Sequence, residues 1–231
     1  MEDLGYMETF NGDKELKKEL VKQLKHHEKL DAFKGSFYGC IMQTDDSPRE
    51  KFSEKYNIPL WYCYLTEHIF ENLPKEQSKT FPVESIEILD VGIDLNQIRS
   101  KFNYKQLESL LEFCKNSKNV TSVIKQCMEL FTVSFDKIDM FAAESVGTSA
   151  SRSAAWSAKS DKSAARSAAW SARSAGYNGN SAELSVRSTE LSAKHAAESA
   201  AEFAGTSVQD YYIKLRDLLF ESINECKLEE K

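Results

Sequence analysis

Apolar side chains recur along most of this 231-residue chain at spacings of three and four, the period of an α-helix, and rarely alternate as a half-buried strand requires. Leu16, Leu20, Leu24 and Leu30 form one stripe of an amphipathic helix over residues 13–33, with Val21 at its edge, most lysines opposite, and Gly35 as the expected stop. Asp46-Ser47-Pro48-Arg49-Glu50 reads as a helix start, a capping side chain followed by proline where its missing N–H costs nothing, and a short helix to Tyr56 should follow. Pro59 opens the most apolar helix of the N-terminal half, Leu60 to Phe70, and Pro74 closes it. This helix is expected to be the hub of the core. Residues 81–89 read as a short helix, while the alternation from Ile86 to Val91 leaves a strand open there. Residues 94–116 and 120–136 continue as helices, and residues 208–223 place Tyr211, Tyr212, Leu215, Leu218, Leu219 and Phe220 on a last amphipathic helix that should dock on the core.

From Arg152 the pattern tightens to a repeat of seven. Arg152-Ser-Ala-Ala-Trp-Ser-Ala, the unit from Lys159, Arg166-Ser-Ala-Ala-Trp-Ser-Ala and the unit from Arg173 follow one another, and Asn180, Arg187 and Lys194 begin further units. At 100° per residue the positions separate into stripes. Ala154, Ala158, Ala165, Ala168, Ala172, Ala175, Ala182, Val186, Ala193, Ala196 and Ala200 form a coiled-coil type seam, with Asp161, Gly179 and Thr189 filling its gaps. Alanine contributes little apolar area, about 0.8 kcal/mol per buried CH₂, so such a seam holds only where two backbones approach closely. Antiparallel pairing of small-residue helices is the expected solution.

Opposite the seam, Trp156, Trp170, Tyr177, Leu184 and Leu191 share one heptad position. Arg152, Arg166 and Arg173 stand four residues before Trp156, Trp170 and Tyr177, the spacing at which helical side chains touch, so cation–π stacking is expected at about 0.5–1 kcal/mol per exposed pair. A third strip is serine and reads as a close-packed or solvated face. Gly176-Tyr177-Asn178-Gly179-Asn180 looks like a helix stop and restart. A single helix through it would run for roughly 100 Å at 1.5 Å per residue, too long for a compact chain, so a hairpin is expected. The sequence therefore predicts an all-α fold with a helical N-terminal domain (1–137), packed with an antiparallel hairpin of Ala/Ser-rich heptads (138–205), and a docking C-terminal helix (206–231).

Charge narrows the choice of partner. The formal net charge is −6, and only the repeat is basic: residues 1–149 carry 19 basic and 25 acidic side chains, residues 150–205 carry 7 and 5. That balance argues against a general nucleic-acid binder, which needs a net basic contact face. The five cysteines form no C-x-x-C pair and suggest neither a disulfide framework nor a zinc ribbon. With no basic, apolar leader and no run approaching a membrane span, a cytoplasmic setting without a membrane partner is expected.

The runs Asn57-Ile58-Pro59-Leu60-Trp61, Leu65-Thr66-Glu67-His68-Ile69-Phe70-Glu71-Asn72-Leu73-Pro74, Phe81-Pro82 and Val91-Gly92-Ile93-Asp94-Leu95 resemble an uncharacterised family of bacterial proteins. Its pattern is of the type IPxWLxxLxxxIFEGLP, FP and IPVGxDL, followed by long Ala-rich repeats containing Trp and Arg. The chain departs from it at Asn72, where the pattern has glycine, and in using serine for much of the repeat alanine. The resemblance implies no activity. A fainter likeness, in its Ala-rich C-terminal helices, is to small helical immunity proteins of bacterial toxin systems.

Chemistry was sought in three places. Glu67, His68 and Glu71 lie on one helix and could hold a metal or an acid–base pair, although a di-iron bundle wants Glu-x-x-His on two helices and no second copy exists. No Gly-rich phosphate loop and no G-x-S-x-G elbow occurs, so no catalytic residue and no cofactor is assigned. The arginine–aromatic ridge of Arg152, Trp156, Arg166, Trp170, Arg173 and Tyr177 can bind by a definable mechanism, because guanidinium forks take anionic groups and exposed aromatics stack. Packing of those aromatics in the core is the bland alternative. The expectation is thus a non-catalytic helical interaction protein, serving immunity or anti-defence in bacterial and phage conflict, with a protein partner or self-association through the array. The alternatives are a binding module for a small anionic ligand such as a nucleotide, and a metal-dependent enzyme.

Overall fold

A computed structural model describes residues 8–33, 35–112, 114, 117–156, 159–176, 188, 191–192, 194–196, 198–199 and 207–229. The chain is all-α, with no strand among the described residues. Its helices are α1 (Lys14–Lys29), α2 (Phe37–Met42), α3 (Pro48–Tyr56), α4 (Leu60–Asn72), α5 (Lys75–Glu87), α6 (Leu95–Leu111), α7 (Lys118–Leu130), α8 (Met140–Trp156), α9 (Lys159–Gly176) and α10 (Val208–Glu229). They form two compact units, one running to Leu95 and resuming at Ile223, the other spanning Asn96–Ser222.

In the first unit α1 starts where the Asp13 carboxylate accepts the Glu15 and Leu16 amides at 2.8 and 3.2 Å, and Leu20 and Leu24 reach the core. It ends at Lys29, short of Gly35. Asp31 takes the left-handed conformation (φ 51°), and the amides of Asp31 and Ala32 return to the carbonyls of Glu28 and His27, closing the helix with an aspartate where glycine is usual. The α2 turn is capped by the Ser36 hydroxyl, which accepts the Gly39 amide at 3.0 Å. Pro48 opens α3 as expected, while Ser47 sits at φ 47° without a capping bond. The apolar helix α4 packs against α3 and α5 and buries Trp61, Tyr62, Cys63, Leu65, Thr66, Glu67, Ile69 and Phe70. Residues 81–87 belong to α5 and not to a strand, and Pro82 lies inside that helix. Rings of Phe33, Phe37, Tyr38, Phe52 and Tyr56 follow one another in tilted and edge-to-face contacts with centroids 4.0–6.4 Å apart.

In the second unit α7 packs against both α8 and α9, presenting Val120, Ile124 and Cys127. The heptad array does not run as one helix from Arg152 to Gly176: α8 ends at Trp156 and α9 begins at Lys159. The two helices pack against each other along their length, and the neighbours of Gly147 (Ala169, Ala172 and Arg173) show that they run in opposite directions. Both helices bury small residues, Ala143, Gly147, Ala150 and Ala154 on α8 and Ala165, Ala168, Ala172 and Ala175 on α9, and Gly147 meets Ala169 and Ala172 across the contact. A Cβ built on Gly147 would stand 3.3 Å from Arg173 Cγ and 3.5 Å from both Ala169 O and Ala172 Cβ, which is the close backbone approach that alanine seams require. Of the turn expected at 176–180 only Gly176 is described. Lys105 of α6 pairs with Glu221 (3.0 Å) towards the end of α10, while Ser109 and Glu112 pair with Tyr211 (3.0 Å) and Lys214 (4.0 Å) near its start, an antiparallel arrangement.

Candidate functional site

Small side chains leave α9 almost no surface. From Ser163 to Ala175 every residue is buried except Arg166, which is exposed, and Trp170 and Arg173, which are half-buried. At 100° per residue these three fall within about 60° of arc, with the two guanidinium-bearing positions about 10.5 Å apart along the axis. The solvent stripe of the most enclosed part of the repeat is thus arginine, tryptophan, arginine.

The stripe is partly fixed in place. The Arg173 guanidinium lies 4.9 Å from the Trp170 ring centroid, a contact reaching back one turn where the sequence pattern pairs Arg173 with Tyr177. Its stem runs past Gly147, whose missing side chain makes room for Arg173 Cγ. Among the described residues neither Arg166 nor Arg173 is paired with a carboxylate, and Arg152 is exposed on α8. Tyr177 and the side chain of Trp156 lie outside the described residues.

The serine strip is interior. Ser163, Ser167, Ser171 and Ser174 of α9 are buried together with Ser188, Ser192 and Ser199. Ser192 is a hub: its Oγ lies 2.6 Å from Ser171 Oγ, donates to the Ser167 carbonyl at 3.0 Å and accepts from Gln106 Nε2 at 3.2 Å, while its own carbonyl accepts from Ser167 Oγ at 2.9 Å. Further along α6, the Asn103 amide donates to the Arg99 carbonyl at 2.9 Å. The Arg99 guanidinium stands 3.8 Å from the Phe135 ring centroid, and burial pulls its pKa down to about 9.

The residues singled out for a metal site are otherwise engaged or turned apart. Glu67 is 3% exposed, with Oε2 3.2 Å from Arg49 Nη1, and Arg49 in turn stacks 4.0 Å from the Tyr64 ring centroid. Tyr64 donates to Glu50 Oε1 at 2.8 Å. Burial raises the Glu67 carboxyl above its ordinary range against the opposing pull of Ser36 and Arg49. His68 is half-buried and Glu71 exposed. No group of three His, Cys, Asp or Glu side chains is gathered for a metal among the described residues. A shallow cleft of about 260 Å³ between Phe33, Phe70, Lys75 and Lys79 holds both charge signs, with Lys79 paired to Asp31 at 3.9 Å. No described helix is long and apolar enough to cross a membrane.

The chain matches no protein-family model, no curated protein and no solved structure. What the ridge does therefore follows from its own geometry.

Sequence reasoning placed Arg166, Trp170 and Arg173 on one stripe and missed Gly147, which shapes that stripe from the neighbouring helix. The signal was present, since Gly147 stands seven residues before Ala154, in the phase of the seam. It also missed the Arg49–Glu67 pair, for which no local pattern exists.

Proposed function

We propose that this chain is a non-catalytic helical interaction protein whose binding surface is the exposed stripe of α9. The observation that carries the reading is that a helix built largely of serine and alanine, and buried on its other faces from Ser163 to Ala175, turns Arg166, Trp170 and Arg173 outward over that stretch. Trp and Arg are the side chains that most often dominate protein interfaces, because they combine contact area with directional hydrogen bonds. Two guanidinium groups with no carboxylate partner among the described residues are a binding resource. The Ala-rich C-terminal helices in the style of toxin-immunity proteins point to bacterial or phage conflict as the setting.

A photo-crosslinking residue in place of Arg166, compared with one in place of the exposed Lys22 on α1, tests the surface. Adducts from position 166 that are absent from position 22, and that disappear on Trp170→Ala, support it. Equal labelling from the two positions, or none, overturns it. A second reading, a site for a small anionic ligand, draws on the same two guanidinium groups beside an aromatic ring. Thermal shift with ATP and with inorganic phosphate decides it, because linkage gives a micromolar binder several kcal/mol of stabilisation at millimolar ligand.

A further inference from the structure

The stripe has a shape and a spacing as well as a charge, and these select among anionic partners. Its three described side chains lie along one line of a single helix, a row of contacts suited to another elongated element. Its two guanidinium-bearing positions are seven residues apart, about 10.5 Å, and the ring of Trp170 lies between them. A nucleic-acid strand carries one phosphate every ~3.4 Å, about three over this interval, more than the two arginines of the described stripe answer, whereas two carboxylates match them one for one. A second α-helix has the same pitch as the first and can present carboxylates at the same seven-residue interval. We infer that the α9 crest docks an acidic amphipathic helix of a protein partner, carrying two Glu or Asp side chains one heptad apart and an apolar side chain between them.

In this arrangement Arg166 and Arg173 each take one carboxylate and Trp170 meets the apolar residue. Arg173 is held for the task. Its stem passes the side-chain-free surface of Gly147 and its guanidinium lies 4.9 Å from the Trp170 ring centroid, a cation–π contact that still leaves N–H donors for a carboxylate. Less rotamer freedom is lost on binding than for a free surface arginine. Arg166 is exposed and supplies the second charge, with greater freedom and a stronger salt dependence. The match is between charge spacings on two helices, so moving either carboxylate by half a turn breaks one of the two ion pairs.

This inference rests on the reading of the stripe as a binding surface, and the experiment separates the two. Fluorescently labelled helical peptides carry Glu at two positions seven apart with Leu between them, in both chain directions. They are titrated with the full-length protein and followed by anisotropy. The controls are the same peptides with Lys for Glu, the same peptides with the second Glu moved by two residues, and a labelled poly-dT oligonucleotide. Binding to the heptad-spaced Glu peptide, weakened about tenfold by Arg166→Glu with Arg173→Glu and recovered when that variant meets the Lys peptide, supports the inference. Circular dichroism of the variant checks that its helices are intact. Trp170→Ala serves as a second variant that leaves the charges in place and should weaken the same peptide. Equal binding of the Glu and Lys peptides, equal binding after the spacing is broken, preference for poly-dT, or no binding overturns it. If it is overturned while photo-crosslinks from position 166 persist, the surface stands and the partner is of another kind. If both vanish, the surface reading fails as well.

Discussion

Gly147 is where the packing of α8 on α9 and the geometry of the ridge meet, and its replacement separates them. In a helix interior Gly→Ala is worth about 0.8–1 kcal/mol of backbone propensity. The added methyl would lie at ordinary contact distance, 3.5 Å, from Ala169 O and Ala172 Cβ, and 3.3 Å from Arg173 Cγ. Only the arginine stem has to yield, by a few tenths of an ångström, and it belongs to a half-buried side chain. Moving it disturbs the stacking on Trp170, a contact worth about 0.5–1 kcal/mol. Gly147→Ala should therefore leave stability between unchanged and about 1 kcal/mol higher, and in an Arg173→Ala background the same substitution should release the full propensity gain. Gly147→Leu has no such outlet and should cost about 1–3 kcal/mol by forcing the helices apart. Urea midpoints for the four members of the Gly147/Arg173 cycle, with Gly147→Leu as a fifth protein, measure both effects. A Gly147→Leu variant as stable as Gly147→Ala, or an alanine effect indifferent to Arg173, would refute the close approach described for this position.

Two further outcomes follow. Burial raises the Glu67 carboxyl above its ordinary value of 4.5, so the folded state holds the proton more tightly than the unfolded chain and unfolding free energy rises as pH falls from neutral towards 4.5; in Glu67→Gln that slope, read from urea midpoints across the range, should flatten. Ser192→Ala removes the hydroxyl shared by Gln106, Ser167 and Ser171 while keeping the Ser192 carbonyl that accepts from Ser167, and should cost about 1–3 kcal/mol by leaving buried donors unmade, against a few tenths for Ser149→Ala at an exposed site, both by urea denaturation.

Periodicity made the helical class legible, because stripes such as Leu20 and Leu24 are local and obey one rule. Prolines marked two boundaries well, at Pro48 and at the start of α4. The break between Trp156 and Lys159 was hidden because Ser157 and Ala158 carry neither glycine nor proline, and the seven-residue phase passes through them unchanged. Six-residue α2 is too short to show a period, and the Asp31 stop used a residue whose left-handed conformation is uncommon enough to be overlooked. Of the candidate site, the stripe of Arg166, Trp170 and Arg173 was readable from heptad phase alone. The contact of Arg173 back onto Trp170 was not, since the neighbour three residues before it is as much within reach on a helix as the one four residues after. Serine was ambiguous for a related reason: it is small enough for a seam, and its hydroxyl is satisfied inside either by a carbonyl one turn back, as Ser174 is at Ser171, or by a neighbouring segment, as Ser167 and Ser192 do for each other.

That interior of serine and alanine gives α9 an unusual thermal character. Side chains this short have few rotamers to lose, so enclosing them costs little conformational entropy compared with leucine or methionine. They also withdraw little hydrocarbon from water, and the heat capacity of unfolding scales with the hydrocarbon exposed. The α8–α9 pair should therefore add less to the curvature of the stability curve than a leucine-packed pair of equal length, and keep its packing over a wider span of temperature, with hydrogen-bonded hydroxyls in place of much of the hydrophobic drive.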